Sequence, residues 1–147
     1  MSEVFTFHEG GSPLLVSVPH DGRDLPSDLR GRMTVAGLAL GDTDWHVAQL
    51  YDFARDMGAS MLVANYSRYV VDLNRSADDA DLYPGKVATG LCPEKSFAGD
   101  DLYIEGGVAD AEKADRVERY WTPYHDRLRS MLENLKAKHG YALLWDA

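Results

Sequence analysis

His20 stands in Pro19-His20-Asp21-Gly22, directly after a short apolar run. A neutral imidazole in such a loop can bind a divalent cation such as Zn²⁺; the plain alternative is a loop histidine bonded to backbone. Further on, Asp42, Asp44 and His46 crowd one stretch. Asp42 reads as a helix N-cap, because acidic residues satisfy the free amides there. Asp44 stays open as a carboxylate ligand. Arg68, Asn74 and Arg75 gather around the run YVVDLN. A guanidinium fork grips carboxylates through paired N–H groups, and an adjacent Asn amide adds a directed donor, so the cluster suits an anionic substrate. Either arginine could instead pair with one of the many Asp side chains. Asp72 would be costly to bury alone, so it reads as the group that orients an Arg or a His. Cys92, between Leu91 and Pro93, has no evident partner base and does not read as a nucleophile.

Those side chains need elements to hold them. Leu14 to Val18 (LLVSV) predicts a buried strand, and Ser60 to Tyr66 and Tyr69 to Asn74 predict two more. His20 to Gly41 reads mainly as loop. A helix is expected over 43–57, with Val47, Leu50, Tyr51, Ala54 and Met57 at helical spacing and Gly58 stopping it. Residues 76 to 108 are rich in Asp, Gly and Pro and carry little periodicity. From about Asp110 a second, longer helix runs to 139. Its stripe of Val117, Trp121, Tyr124, Leu128, Met131 and Leu135 is interrupted by Pro123, where a kink or break is expected. Tyr120, Trp121, Tyr124 and His125 read as core and helix-face residues. A last strand is expected near 141–146. Alternating strands and helices predict an α/β domain with a mostly parallel sheet covered on both faces. In such sheets ligands bind beyond the carboxyl ends of the strands, which brings His20, Asn74 and Arg75 to one edge.

Composition bounds the partners. The chain has 147 residues, 24 Asp+Glu against 15 Lys+Arg, and a formal net charge of −9. One domain of this length buries enough surface to fold without staples. The acidity argues against a duplex-binding surface, which needs a basic face. No apolar run approaches the ~20 residues of a membrane span. A single cysteine and an N-terminus without basic and apolar signal regions lead to the expectation of a cytoplasmic protein. Oligomeric state is not legible.

VPHDGRDLP, DTDWHVAQLYDF, YSRYVVDLNR, GLCP with a downstream FAGDDLY, and YWTPYHDRL resemble, in matching order, the N-formylglutamate amidohydrolase (deformylase) family. The resemblance implies a three-layer α/β/α sandwich around a mixed, mostly parallel sheet, related to zinc carboxypeptidases and aspartoacylases. It implies hydrolysis of N-formyl-L-glutamate to L-glutamate and formate in histidine breakdown, with Zn²⁺ as cofactor. His20 and Asp44 then fall on metal-binding positions, Asn74 and Arg75 on an Asn-Arg pair that holds the substrate carboxylate, and Arg68 on a substrate-binding or carbonyl-polarising arginine. The resemblance also implies a further histidine just after Ala147 and a general-base glutamate outside this sequence, so the chain is expected to be the N-terminal part of a longer amidohydrolase domain. Two other readings stand beside it: a zinc amidohydrolase for another N-acyl amino acid, and a non-catalytic α/β binding domain.

Overall fold

The structure is a computed structural model that describes residues 3–80 and 89–147. Four strands form one mixed sheet: β1 (Phe5–His8), β2 (Leu14–Val18), β3 (Ser60–Ala64) and β4 (Leu143–Asp146), in the order β1-β3-β2-β4. β2 pairs in parallel with both β3 and β4, and β1 runs antiparallel on β3. Strands at 14–18, 60–66 and 141–146 are therefore present, with β3 ending at Ala64. β1 has no counterpart in the sequence reading; its FTFH alternates on a half-buried edge next to a glycine-rich turn.

Side-chain alternation assigns the two faces. On one face Leu15, Leu62 and Ala64 pack against Tyr124, Met131 and Leu135. On the other, Val16, Val18 and Met61 pack against Ala54, Ala59 and the half-buried Val47 and Tyr51. Helices cover both faces, as a layered α/β domain requires.

The long helix expected over 110–139 forms, in three parts: α5 (Asp110–Arg116), a π-helical turn (Val117–Trp121) and α6 (Thr122–His139). Pro123 lies in the first turn of α6, where a missing N–H costs little, and the widened turn ahead of it takes the place of the expected kink. Gly140 ends α6 with φ +83°, a left-handed conformation that only glycine adopts freely.

Two expectations are corrected. The helix over 43–57 is instead two single turns, Val47–Leu50 and Phe53–Asp56. His46 ahead of the first has φ +66°, which an α-helix cannot accommodate. Asp42 does not cap it: its carboxylate accepts the Phe97 amide at 2.9 Å. Asp21, from the loop after β2, accepts the His46 and Ala48 amides at 3.0 and 3.1 Å and does that work. Similarly, Tyr69 to Asn74 is no strand. The segment is buried from Tyr69 to Leu73 but turns from the start, Val70 N–H bonding to Ser67 O. A side chain replaces the missing ladder: Arg116 Nη1 donates to Val70 O at 3.0 Å and reaches Tyr69 O at 3.5 Å.

Within His20–Gly41, two further single turns (Ser27–Arg30 and Val35–Leu38) interrupt the expected loop. Most of 76–108 lacks regular structure, and 81–88 of it lie outside the described residues.

Candidate functional site

β2 delivers its carboxyl end into Pro19-His20, and both are buried there. Gly22 lets this loop close onto the end of β3, since a Cβ at that position would lie 2.2 Å from Tyr66 O. The buried turn that replaced the expected strand comes back to the same place and sets Asp72 beside His20. His20 Nε2 and Asp72 Oδ1 are 2.7 Å apart. Arg68 Nη2 donates to the other oxygen, Oδ2, at 2.7 Å, and the Asn74 amide donates to Oδ1 at 2.9 Å.

Asp72 is completely buried. Burial alone would push its carboxyl up, but the hydrogen bonds from His20 and the Asn74 backbone N–H and the charge of Arg68 outweigh it, holding the group well below the usual carboxylate range. An ionised carboxylate only accepts, so His20 Nε2 carries the proton in this contact. The other nitrogen, Nδ1, is then a lone-pair donor in the neutral ring. It faces Asp44 Oδ2 at 3.5 Å, with no hydrogen bond between them. Two electron-pair donors facing each other suit a cation between them. Ligands at about 2.0–2.2 Å on one tetrahedral Zn²⁺ lie roughly 3.3–3.6 Å apart, so the residues fit such an ion. Asp72 would then orient the metal-holding imidazole, the usual carboxylate–histidine arrangement. Among the described residues no cluster of three His, Cys, Asp or Glu side chains is disposed to hold one metal.

His20, Asp44, Asp72 and Arg68 are thus brought together. Asp44 is about half exposed, on the open side of a cluster whose other members are buried. Arg68 lies 4.7 Å over the Phe97 ring. Its Nη1 makes only a long contact, 3.5 Å, to Asp42 O. Asp42 thereby serves the site twice, through its carbonyl and by fixing the Phe97 amide.

Asn74 and Arg75 lie at the rim rather than in the cluster. Asn74 Nδ2 donates to Asp146 Oδ2 at 2.8 Å, joining the segment to the end of β4. Arg75 Nε donates to Thr89 O at 3.0 Å and Nη1 to Asn74 O at 3.1 Å. Both bonds go to carbonyls. Among the described residues no carboxylate forms an ion pair with Arg75, whereas Arg68 is paired with Asp72. The two arginines separate cleanly on the question the sequence left open. Arg75 also lines a cavity of about 900 Å³ with Thr89, Cys92, Phe97 and Tyr103. Burial pushes the Cys92 thiol up to about 11, which keeps it protonated and a poor nucleophile.

Sequence reasoning missed how this rim is held. Trp121 Nε1–H donates to Arg75 O at 3.0 Å, and His125 Nε2–H donates to Leu73 O at 2.9 Å. Their place on an apolar stripe had suggested packing alone. Arg116, buried between Glu112, Tyr103 and the 69–70 carbonyls, was likewise invisible. Its neighbours one turn away, Glu112, Lys113 and Arg119, make it read as one more residue of a charged face.

With that geometry established, known proteins can be set beside it. The family model for N-formylglutamate amidohydrolase matches residues 12–147. The N-formylglutamate deformylase of Pseudomonas putida is 49% identical over all of this chain and 55% of its own length. That of Pseudomonas aeruginosa is 50% identical over the same shares. The crystal structure of N-formylglutamate amidohydrolase from Ralstonia eutropha JMP134 superposes with a TM-score of 0.81 at 28% identity, covering 97% of this chain and 55% of that one. A protein of Agrobacterium tumefaciens, 17% identical, shares the fold with a TM-score of 0.71 over 99% of this chain and 56% of that one. The chain spans about half the length of the curated relatives it matches.

Proposed function

The chain belongs to the N-formylglutamate amidohydrolase family, and from that premise we propose that it supplies the metal-holding and carboxylate-binding part of a site hydrolysing N-formyl-L-glutamate to L-glutamate and formate. The observation that carries the reading is His20 held through Nε2 by Asp72, with Nδ1 turned toward Asp44.

In this reading His20 Nδ1 and an Asp44 oxygen hold Zn²⁺, and Asp72 keeps the imidazole in the tautomer that binds it. When bound, the metal lowers the pKa of a water to about 7 and polarises the formyl oxygen. Arg68, fixed by Asp72, keeps its long-bonded Nη1 as a donor for that oxygen. Arg75, whose charge no described carboxylate neutralises, takes a substrate carboxylate through its fork, and Asn74 adds a directed amide. Together they align the scissile bond. A locally cationic rim on a chain of net charge −9 suits a dianionic substrate. The place in histidine breakdown is the one the motif resemblance implies.

The test reads binding first. Zn²⁺ titrated calorimetrically into the chain is expected to bind one equivalent, and His20→Ala to abolish it. N-formyl-L-glutamate is then expected to bind more tightly than N-acetyl-L-glutamate, which the runner-up amidohydrolase reading would reverse. Equal zinc binding by wild type and His20→Ala would overturn the assignment.

A further inference from the structure

Beyond apolar packing, the long C-terminal helix donates its hydrogen bonds to the 69–75 segment at backbone carbonyls. Arg116 takes Val70 O, with a longer reach to Tyr69 O; His125 takes Leu73 O; Trp121 takes Arg75 O. Arg116 thus holds the start of the segment, and Trp121 and His125 hold its end. Between them Asp72 is held by side chains, so the main chain is tied at both ends of the Asp72–Arg75 stretch.

The spacing of the three donors explains the π-helical turn. In an α-helix five residues advance about 500°, so Trp121 would point about 140° away from Arg116. In the turn Val117–Trp121 the Thr122 N–H instead bonds to Val117 O, five residues back. The wider turn brings residue i+5 closer to the face of residue i than an α-helix would, so Trp121 lies nearer the side of Arg116. His125 follows four residues on in α6, on the same face. The indole and imidazole also stack, ring centroids 3.8 Å apart, so each steadies the other's donor. π-turns of this kind recur at functional sites.

We propose that Trp121 and His125, with Arg116 holding the 69–70 carbonyls ahead of them, are positioning residues, carried by the helix that contains the π-turn, that fix the backbone of 73–75 and so set where Asn74 and Arg75 present their side chains to a substrate carboxylate. Their action is indirect. By holding carbonyls, they occupy neither the Asn74 side-chain amide, which donates to Asp146, nor the Arg75 guanidinium, which donates to the Thr89 and Asn74 carbonyls. The inference rests on the proposed role of Asn74 and Arg75 as carboxylate holders.

The experiment compares three variants of the chain. Trp121→Phe keeps the ring but removes the N–H; His125→Leu removes the second donor; His125→Gln offers a replacement N–H. N-formyl-L-glutamate affinity is measured by calorimetry, and backbone amide exchange at Asn74 and Arg75 by NMR. Loss of either donor is expected to weaken binding about 5- to 10-fold, the scale of one neutral hydrogen bond. Exchange at both amides should accelerate, with Zn²⁺ affinity unchanged because His20 and Asp44 lie on other elements. His125→Gln should recover most of both effects. Wild-type affinity and exchange in Trp121→Phe and His125→Leu would overturn the clamp, as would a uniform fall in thermal stability with both unchanged. If the wild type binds no dicarboxylate, the carboxylate-holding reading fails instead, and the clamp on 73–75 stands or falls on the amide exchange alone.

Discussion

Two neighbouring parts of the site are held in opposite ways. Around Asp72 the side chains hold one another: both carboxylate oxygens are taken, by His20, Arg68 and the Asn74 amide, out of contact with water. At Asn74 and Arg75, two residues away, the helix holds the backbone and the side chains face the rim. The first region is locked by a buried ionised carboxylate and its partners, whereas the second is tied by helix donors to its main chain, with side chains bonded to Asp146 and to carbonyls at the rim. Damage to the first region should therefore appear as lost stability, and damage to the second as lost affinity.

The largest expected effect comes from breaking the first region. Asp72→Ala leaves Arg68 and His20 buried without their common partner, and stability should fall by about 3–5 kcal/mol in urea titrations. A loss below about 1 kcal/mol would show that the cluster relaxes into water and that the comparison is wrong.

Acid should act on the same carboxylate. The folded-state value of Asp72 lies below the unfolded value of about 3.9. The unfolded chain therefore binds the proton more readily, and stability rises with pH through that window. The contribution is fully present above about pH 5 and is lost as pH falls through 4 and below. Asp79 and Glu112 are shifted the same way, burial opposing and Lys113, Arg116 and Arg32 prevailing, so they add to the slope. In Asp72→Asn the acid-side slope of stability against pH should become shallower. An unchanged slope would assign acid sensitivity to the other two carboxylates.

The division between the regions also marks what a sequence can disclose. His20 was legible because it stands in a loop at the end of an apolar run, Asp44 because it is one of the acidic residues crowded at an expected helix start, and Asp72 because a carboxylate within VVDLN had to be paired wherever it was buried. The strands at 14–18 and 60–64 were legible for the same local reason. Residues 69–74 were misread because VVDL is as apolar and β-branched as a strand; only the distant Arg116 supplies the carbonyl partners that make a buried turn possible. The single helix over 43–57 failed likewise, since its cap is Asp21, reached through the fold. A π-turn has no periodic signature in a stripe spaced by threes and fours.

Arg75→Lys probes the second region. The charge remains but the planar fork is lost, so affinity for N-formyl-L-glutamate should drop by roughly 10- to 150-fold, equivalent to about 1.5–3 kcal/mol. Thermal stability and zinc binding should scarcely change, because among the described residues the guanidinium bonds only to carbonyls at the rim. Unaltered affinity would remove Arg75 from the carboxylate site.

The smallest effect is expected at Lys95 and Asp101, an ion pair as close, 2.5 Å, as any around Asp72 but with both side chains mostly exposed. The two residues also bridge each other's backbone in a short antiparallel contact, so geometry alone would rate the pair as important. Water already solvates both charges, and ordering two flexible side chains offsets most of the attraction. A double-mutant cycle over Lys95→Ala and Asp101→Ala should therefore give a coupling of about 0–1 kcal/mol. That coupling should fade as salt is raised, because screening acts fully on exposed charges. A salt-insensitive coupling near that of the Asp72 cluster would mean that proximity rather than burial governs these pairs, and the contrast between the two regions would lose its physical basis.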